Sequence, residues 1–179
     1  MPDAEECRIE PRPLEDLIAL FRLPADDGTT RLDATPLADG GREPASDAVV
    51  AGVTATVGEY YACVNAEDPR RRFTLFTSGG LRPFAALFGA PATADLAVSG
   101  PRPLREDERF FPRTLRDTRV LEDGRVSAVV IESNLPLAAM GEFRDAALPA
   151  AMHLFVERDG GYLFDDIIVP LEANGTPPS

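Results

Sequence analysis

Two glycine-containing turns in the second half of the chain constrain its fold more than any other sequence feature. Asp123-Gly124 and Asp159-Gly160-Gly161 readily adopt the positive φ angles of tight hairpin loops. The segments on both sides of each turn are rich in β-branched and aromatic residues, as strands are. These predicted strands are residues 118–121, 125–131, 152–157 and 162–169. The sequence therefore predicts two antiparallel hairpins in one curved sheet.

Helical patterns come before the sheet. Ser46 is a suitable N-cap, and apolar residues follow it at spacings of three and four, which predicts a long helix to about Ala66. Asp68-Pro69 repeats the start signal for a second helix, and Gly79-Gly80 are expected to end that helix as turn glycines. The apolar face of the long helix is predicted to contain Val49, Val53, Val57, Tyr60 and Val64.

Helices followed by strands indicate an α+β domain, and 179 residues are enough for one hydrophobic core. We assign residues 1–45 to an N-terminal extension, 46–171 to the domain and 172–179 to a tail. The extension contains a predicted short helix at 13–22 and an irregular linker. Another short helix is expected at 84–88.

Two stretches lack a regular pattern. Residues 89–112 are rich in proline and glycine and are predicted to form a long loop. Residues 133–149 connect the two hairpins and contain apolar residues without periodicity. This segment is long for a connection without regular structure.

The formal charge of −12 at pH 7 argues against nucleic acid as a partner, because nucleic-acid binding needs a basic surface. The basic run Arg70-Arg71-Arg72 is predicted to be a solvated helix face. No apolar stretch reaches the roughly 18 residues of a membrane-spanning helix, so no membrane span is expected.

Two motifs and the order of the elements resemble a known family. The first motif is VGEYYACVNAED at 57–68, at the end of the long helix. The second is FVERDGGYLFDDI at 155–167, with the aromatic Tyr162 after the turn into the last strand. Both resemble the nuclear-transport-factor-2-like superfamily, which includes ketosteroid isomerase and the SnoaL-like polyketide cyclases. The resemblance covers residues 46–171 and implies N-terminal helices packed on a curved antiparallel sheet that forms a cone.

The resemblance also implies a pocket inside the cone that admits a small apolar molecule. Family members include isomerases, cyclases, dehydratases and non-catalytic binding domains, so the fold does not choose among these functions. The residues expected to line the pocket are Tyr61, Phe76, Met152, His153, Phe155 and Phe164.

A ketosteroid-isomerase-like site needs a carboxylate base and a neutral hydrogen-bond donor. Tyr60 or Tyr61 is a candidate donor. The segment 76–81, where such enzymes usually place an Asp, contains no acid. His153, the single histidine, and Asp166 or its neighbour Asp165 are the remaining acid–base candidates. The alternative for His153 is an ordinary surface or core residue.

Asp165 and Asp166 are adjacent in a predicted strand, so they should point to opposite faces and not form a paired carboxylate site. The inward one is expected to have an Arg partner or a raised pKa. One His and two distant Cys match no familiar ligand spacing, so we expect no metal site and no cofactor.

Cys7 and Cys63 are the two cysteines, and a disulfide between them would hold the N-terminal extension against the domain. The alternative is a small buried Cys63 and a free Cys7 thiol. Disulfides persist mainly in exported proteins, so a bridge would favour an extracellular or cell-envelope location over the cytoplasm.

The leading interpretation is a non-catalytic small-ligand-binding or interaction domain with an apolar, cone-shaped pocket. The alternative is a small isomerase, cyclase or dehydratase with a Tyr donor and a His or Asp acid–base group. A third interpretation is a structural homodimer formed through the open face of the sheet. The sequence leaves open whether any reaction is catalysed.

Overall fold

A computed structural model of the chain describes residues 2–22, 43–82, 97–134 and 150–168. These residues form helices α1 (Leu14–Arg22), α2 (Asp47–Asn65) and α3 (Pro69–Thr74), and strands β1 (Glu43–Pro44), β2 (Phe110–Val120), β3 (Val126–Asn134), β4 (Ala150–Arg158) and β5 (Gly161–Ile168). Short 3-10 helices lie at Ala4–Glu6 and Glu106–Glu108. The predicted linker from residue 23 to 42, the helix at 84–88, most of the connection 133–149 and the tail 172–179 lie outside the described residues.

The five strands form one sheet in the order β1-β2-β3-β4-β5. Every neighbouring pair is antiparallel, and neighbouring strands follow one another along the chain, with α2 and α3 lying between β1 and β2. The predicted α+β class and the antiparallel sheet are therefore confirmed.

Both predicted hairpins are confirmed, although their turns differ. Asp159 and Gly160 both have positive φ angles, of 53° and 80°, and form a two-residue loop. In the other turn only Gly124 has a positive φ, of 83°, while the Asp123 side chain accepts a hydrogen bond from the Arg125 amide. The backbone of Asp123 thus stays outside the left-handed region, and its side chain stabilises a longer loop.

Strand β2 begins at Phe110, inside the segment predicted as a loop and eight residues before the predicted strand. Its sequence has weak strand signals because it contains Pro112 and several charged residues. These residues are tolerated because β2 lies next to the two-residue edge strand β1, and its pairing with β3 shifts register after Pro112 and Arg116. The sequence reasoning missed β1 and the start of β2.

Helix α2 agrees with the sequence prediction. The Ser46 side chain caps its N-terminus by accepting a hydrogen bond from the Val49 amide. Val53 and Val57 on the predicted apolar face are 0% and 2% exposed, so this face belongs to the core.

Helix α3 starts as predicted, with the Asp68 carboxylate accepting from the Arg71 amide, but it ends at Thr74. The chain then lies against β5: the Phe164 amide donates to the Leu75 carbonyl, and the Thr77 amide donates to the Phe164 carbonyl, each at 2.8 Å. This contact extends the edge of the sheet and ends the helix earlier than the sequence indicated.

A second helical turn follows at 78–82, capped by the Thr77 hydroxyl, which accepts from the Gly80 amide at 2.9 Å. The prediction that Gly79-Gly80 are turn glycines is therefore wrong. Gly80 is needed for another reason: a Cβ atom there would lie 2.6 Å from the Phe164 carbonyl oxygen. The glycine lets this turn pack directly on the backbone of β5.

The helices pack on one side of the sheet, which we call the inner face. Its buried strand residues belong to the same core cluster as Leu17 and Phe21 of α1 and Val57 of α2. The buried residues of the inner face are Val126, Ala128, Val130, Phe155 and Phe164.

The opposite side of the sheet, the outer face, is buried at its centre as well. Ser127, Val129 and Leu154 alternate with the inner-face residues and are 2% to 4% exposed. Five consecutive residues of β3, from Val126 to Val130, are thus buried, as expected for a strand covered on both faces.

The N-terminal segment, residues 2–22, is attached to α2 and α3. A disulfide joins Cys7 to Cys63, with the sulfur atoms 2.03 Å apart, so the first of the two alternatives for these cysteines is the one observed. Fully buried Asn65 donates to the Pro2 carbonyl and to the Phe110 carbonyl, and accepts from the Phe110 amide. One amide side chain therefore joins α2, the N-terminal segment and β2.

The run Arg70-Arg71-Arg72 is half-buried and is not the solvated face that its charge suggested. The Arg71 guanidinium donates to the Cys7 carbonyl at 2.9 Å, and Arg70 Nε donates to the Arg12 carbonyl at 3.2 Å. Backbone carbonyls of the N-terminal segment thus occupy donors that would otherwise face water.

Candidate functional site

Aromatic side chains from four elements meet on the inner face. Phe164 of β5 is at the centre, with its ring centroid 4.9 Å from that of Phe76, 4.8 Å from that of Phe155 and 5.2 Å from that of Tyr60. Tyr60 also contacts Tyr61, at 5.1 Å. The fold brings together most of the residues predicted to line a pocket.

Burial divides these residues into a base and a rim. Phe76, Phe155 and Phe164 are at most 2% exposed and pack tightly on one another, so they form a solid aromatic base. Tyr60 and His153 are half-buried, and both pack on the Phe164 ring. We refer to Tyr60 and His153, which flank the buried Phe164 ring, as the aromatic rim.

Met152 does not join this group. Successive residues of a strand point to opposite faces, and Met152 pairs with Val129 of the outer face, whereas His153 pairs with Ala128 of the inner face. Met152 and His153 therefore do not line one pocket, and the assignment of Met152 to the inner site is corrected.

His153 lies in β4 with its ring centroid 5.4 Å from that of Phe164 and 6.3 Å from that of Phe155. Its cross-strand neighbour Ala128 is small, which leaves room for the imidazole on the inner face. The Nδ1 atom is buried and has no hydrogen-bond partner among the residues that the structure describes. A buried polar atom of this kind is uncommon in folded proteins and calls for an explanation.

Burial also controls the charge of His153. Removal from water disfavours the imidazolium and lowers the pKa of His153 from 6.5 to about 4. The side chain is therefore neutral at pH 7. It presents a polar but uncharged group to its aromatic surroundings.

The two aspartates of β5 lie apart from His153. Asp165 is the extra residue of a β-bulge; its carboxylate accepts from the Thr77 hydroxyl at 2.9 Å and lies 3.5 Å from an Arg125 guanidinium nitrogen. The arginine partner expected for one of these aspartates is thus observed. Asp166 pairs with Leu154 of the outer face, so the structure does not bring Asp166 and His153 together.

The described part of the chain contains no group of three or more His, Cys, Asp or Glu side chains that could hold a metal ion. Within the same residues, no helix is long and apolar enough to cross a membrane.

Comparison of the chain with models of protein families gives no match, and comparison with curated proteins gives none either.

Two residues that shape the site were missed by sequence reasoning. Thr77 bonds to both Gly80 and Asp165, and Gly80 allows the turn at 78–82 to pack on the backbone of Phe164. The signal for Thr77 was available, since a Thr three residues before a helical amide is a typical N-cap. The closeness of Gly80 to β5 is a tertiary contact that no local pattern indicates.

Proposed function

We propose that this chain is a non-catalytic domain that binds a small, largely apolar molecule at the aromatic rim. The observation that supports this proposal is the half-buried His153, whose buried Nδ1 atom lacks a partner among the described residues. Ligand sites are typically apolar surfaces with a few polar groups that orient the ligand. Tyr60 supplies apolar surface above the buried Phe164 ring, and the half-buried His153 supplies the polar group.

Binding is favoured over catalysis by the placement of the acid–base candidates. A ketosteroid-isomerase-like reaction needs a carboxylate base facing the substrate. Asp166 belongs to the outer face, and Asp165 interacts with Thr77 and Arg125. His153, with a pKa of about 4, is a weak base at pH 7.

The proposal includes a relationship to the nuclear-transport-factor-2-like superfamily. Three features support it: the helices precede the four long strands β2 to β5, the helices cover one face of the antiparallel sheet, and β-bulges that bend strands occur in β2–β3 and β4–β5. A cone-shaped sheet around a ligand is part of this proposal.

Phenol and toluene test the proposal because they have nearly the same shape and differ by one hydroxyl group. Titration of isotope-labelled protein should give saturable NMR shifts at Tyr60, His153 and Phe164, and none at the exposed residue Val98. Phenol should bind about three- to tenfold more tightly than toluene, as expected for one hydrogen bond.

The variant His153→Phe keeps an aromatic ring and removes both nitrogens, so phenol and toluene should bind it equally. Absence of saturable shifts at the aromatic rim with either probe would contradict the binding function. Equal affinities in the wild-type protein would contradict the role of His153.

A further inference from the structure

The N-terminal segment contributes to both hydrophobic clusters of the protein. Leu17 and Phe21 of α1 enter the main core, where the Phe21 ring meets the Phe73 ring edge-on at 5.7 Å. Cys7 lies in a second, smaller cluster with Cys63 and neighbouring alanines of α2. The segment thus covers apolar surface of α2 and α3 at two places.

The polar attachments of this segment use mainly its backbone. Asn65, Arg71 and Thr74 donate side-chain hydrogen bonds to the carbonyls of Pro2, Cys7 and Glu10, respectively. A paired contact joins Arg12 and Arg70, whose backbone and side-chain groups bond in both directions. Because the donors come from α2 and α3, the segment docks on these two helices as one unit.

The covalent attachment is a single bond near the start of this segment. Helix α1 has nine residues, and isolated helices of this length are marginal in water. Docking therefore depends on keeping the segment close to α2 and α3, and the Cys7–Cys63 bond does so by closing a loop of 56 residues.

We propose that the Cys7–Cys63 bond is a redox-controlled latch, and that its reduction lets the N-terminal segment open as a unit while the sheet stays folded. Opening would uncover the apolar surface around Phe73. In the reduction step a dithiol is oxidised to its cyclic disulfide, and its two electrons and two protons convert the Cys7–Cys63 bond into two thiols.

Burial determines the order of these events. Cys7 and Cys63 are 4% and 0% exposed, so a dithiol does not reach their sulfur atoms while the segment is docked. The segment must first open transiently and expose the bond. The latch therefore responds to a sustained reducing environment and not to brief contact with a reductant.

Hydrogen exchange followed by mass spectrometry tests the latch in the full chain. After treatment with dithiothreitol, the amides of α1 should exchange about 10²- to 10³-fold faster, the loss expected from removing this cross-link. The exchange rates of the amides in β3 and β4 should change less than twofold. The variant Cys7→Ala should exchange like the reduced protein with and without the reductant.

Three outcomes would overturn the latch. Unchanged exchange in α1 after reduction would show that docking does not need the bond. Equal acceleration in α1, β3 and β4 would show that the bond supports the whole domain. Persistence of the disulfide through a day in dithiothreitol at pH 8 would show that the segment does not open.

Discussion

The imidazole of His153 is neutral at physiological pH because the sheet and the surrounding aromatic rings remove it from water. In the unfolded chain the same side chain has an ordinary pKa near 6.5. Between these two values the unfolded state binds a proton more readily than the folded state. The stability that this group contributes is therefore complete above pH 6.5 and is lost as the pH falls to about 4.

Replacement of His153 by Leu should remove this pH dependence. The free energy of unfolding of the wild-type protein should fall relative to that of His153→Leu by on the order of 3 kcal/mol between pH 7 and pH 4. Urea unfolding of both proteins at several pH values measures the difference. Carboxylates that titrate in this range affect both proteins alike. Parallel curves of the free energy of unfolding against pH would therefore contradict the burial of a neutral imidazole.

Asn65 is the other residue with a large expected effect. Asn65→Ala would leave the Phe110 amide and the carbonyls of Pro2 and Phe110 without their partner. We expect a loss of about 2 to 4 kcal/mol in the free energy of unfolding. Thr54→Ala on the exposed side of the same helix is the control and should change it by less than about 0.5 kcal/mol. Similar losses in the two variants would contradict the bridging role of Asn65.

The role of an individual residue could be predicted only where its side-chain chemistry and its position in the sequence together indicated its partner. The cysteine pair was one of two alternatives drawn from the sequence, because an N-terminal segment with few apolar residues needed an attachment. Asn65 was not singled out, because a polar residue near a helix end usually faces water, and its three partners lie in distant segments. Met152 was assigned to the wrong face because successive strand residues point to opposite faces, and this alternation was not used when the pocket residues were chosen.

At the scale of elements, the turn at 78–82 is held against β5 by close backbone contact. Gly80→Ala would place a methyl group 2.6 Å from the Phe164 carbonyl oxygen, and neither backbone can move freely. We expect a loss of about 1 to 3 kcal/mol in the free energy of unfolding, as for other overpacked sites. Thermal or urea denaturation measures it.

Gly58→Ala is a matched control in α2, where a new Cβ would meet no atom within 4 Å. A glycine in a helix interior is less favourable than alanine, so this variant should be more stable by about 0.5 to 1 kcal/mol. Opposite signs for the two substitutions are the decisive result. Stabilisation by Gly80→Ala would show that the turn does not lie on β5.

Elements with local signals were predicted well. The caps of α2 and α3 and the glycines of both hairpins are short-range features, and each of these elements starts or turns where its signal lies. The start of β2 and the end of α3 were missed because partners far along the chain determine them. Phe110 is fixed by Asn65, and Leu75 and Thr77 are fixed by Phe164.

At the scale of the whole molecule, the described strands offer little open sheet surface for association. The centre of the outer face, the side that a homodimer would use in the third interpretation, is already buried within one chain. Along β2, proline, two register shifts and the positive φ of Asp117 disfavour pairing with another strand. We therefore expect sedimentation to give a monomer at low and high concentration. A dimer that strengthens with concentration would contradict this expectation.

The Asn65 bridge also places a constraint on synthesis. Pro2 is made before its anchor, which needs Asn65 and is completed only when Phe110 has been made. At roughly 5 to 20 residues per second, about a hundred further residues take on the order of 5 to 20 seconds. Until α2 and α3 have been made, the nascent N-terminal segment has no docking surface, and Cys7 is exposed to whatever thiols and oxidants surround the emerging chain.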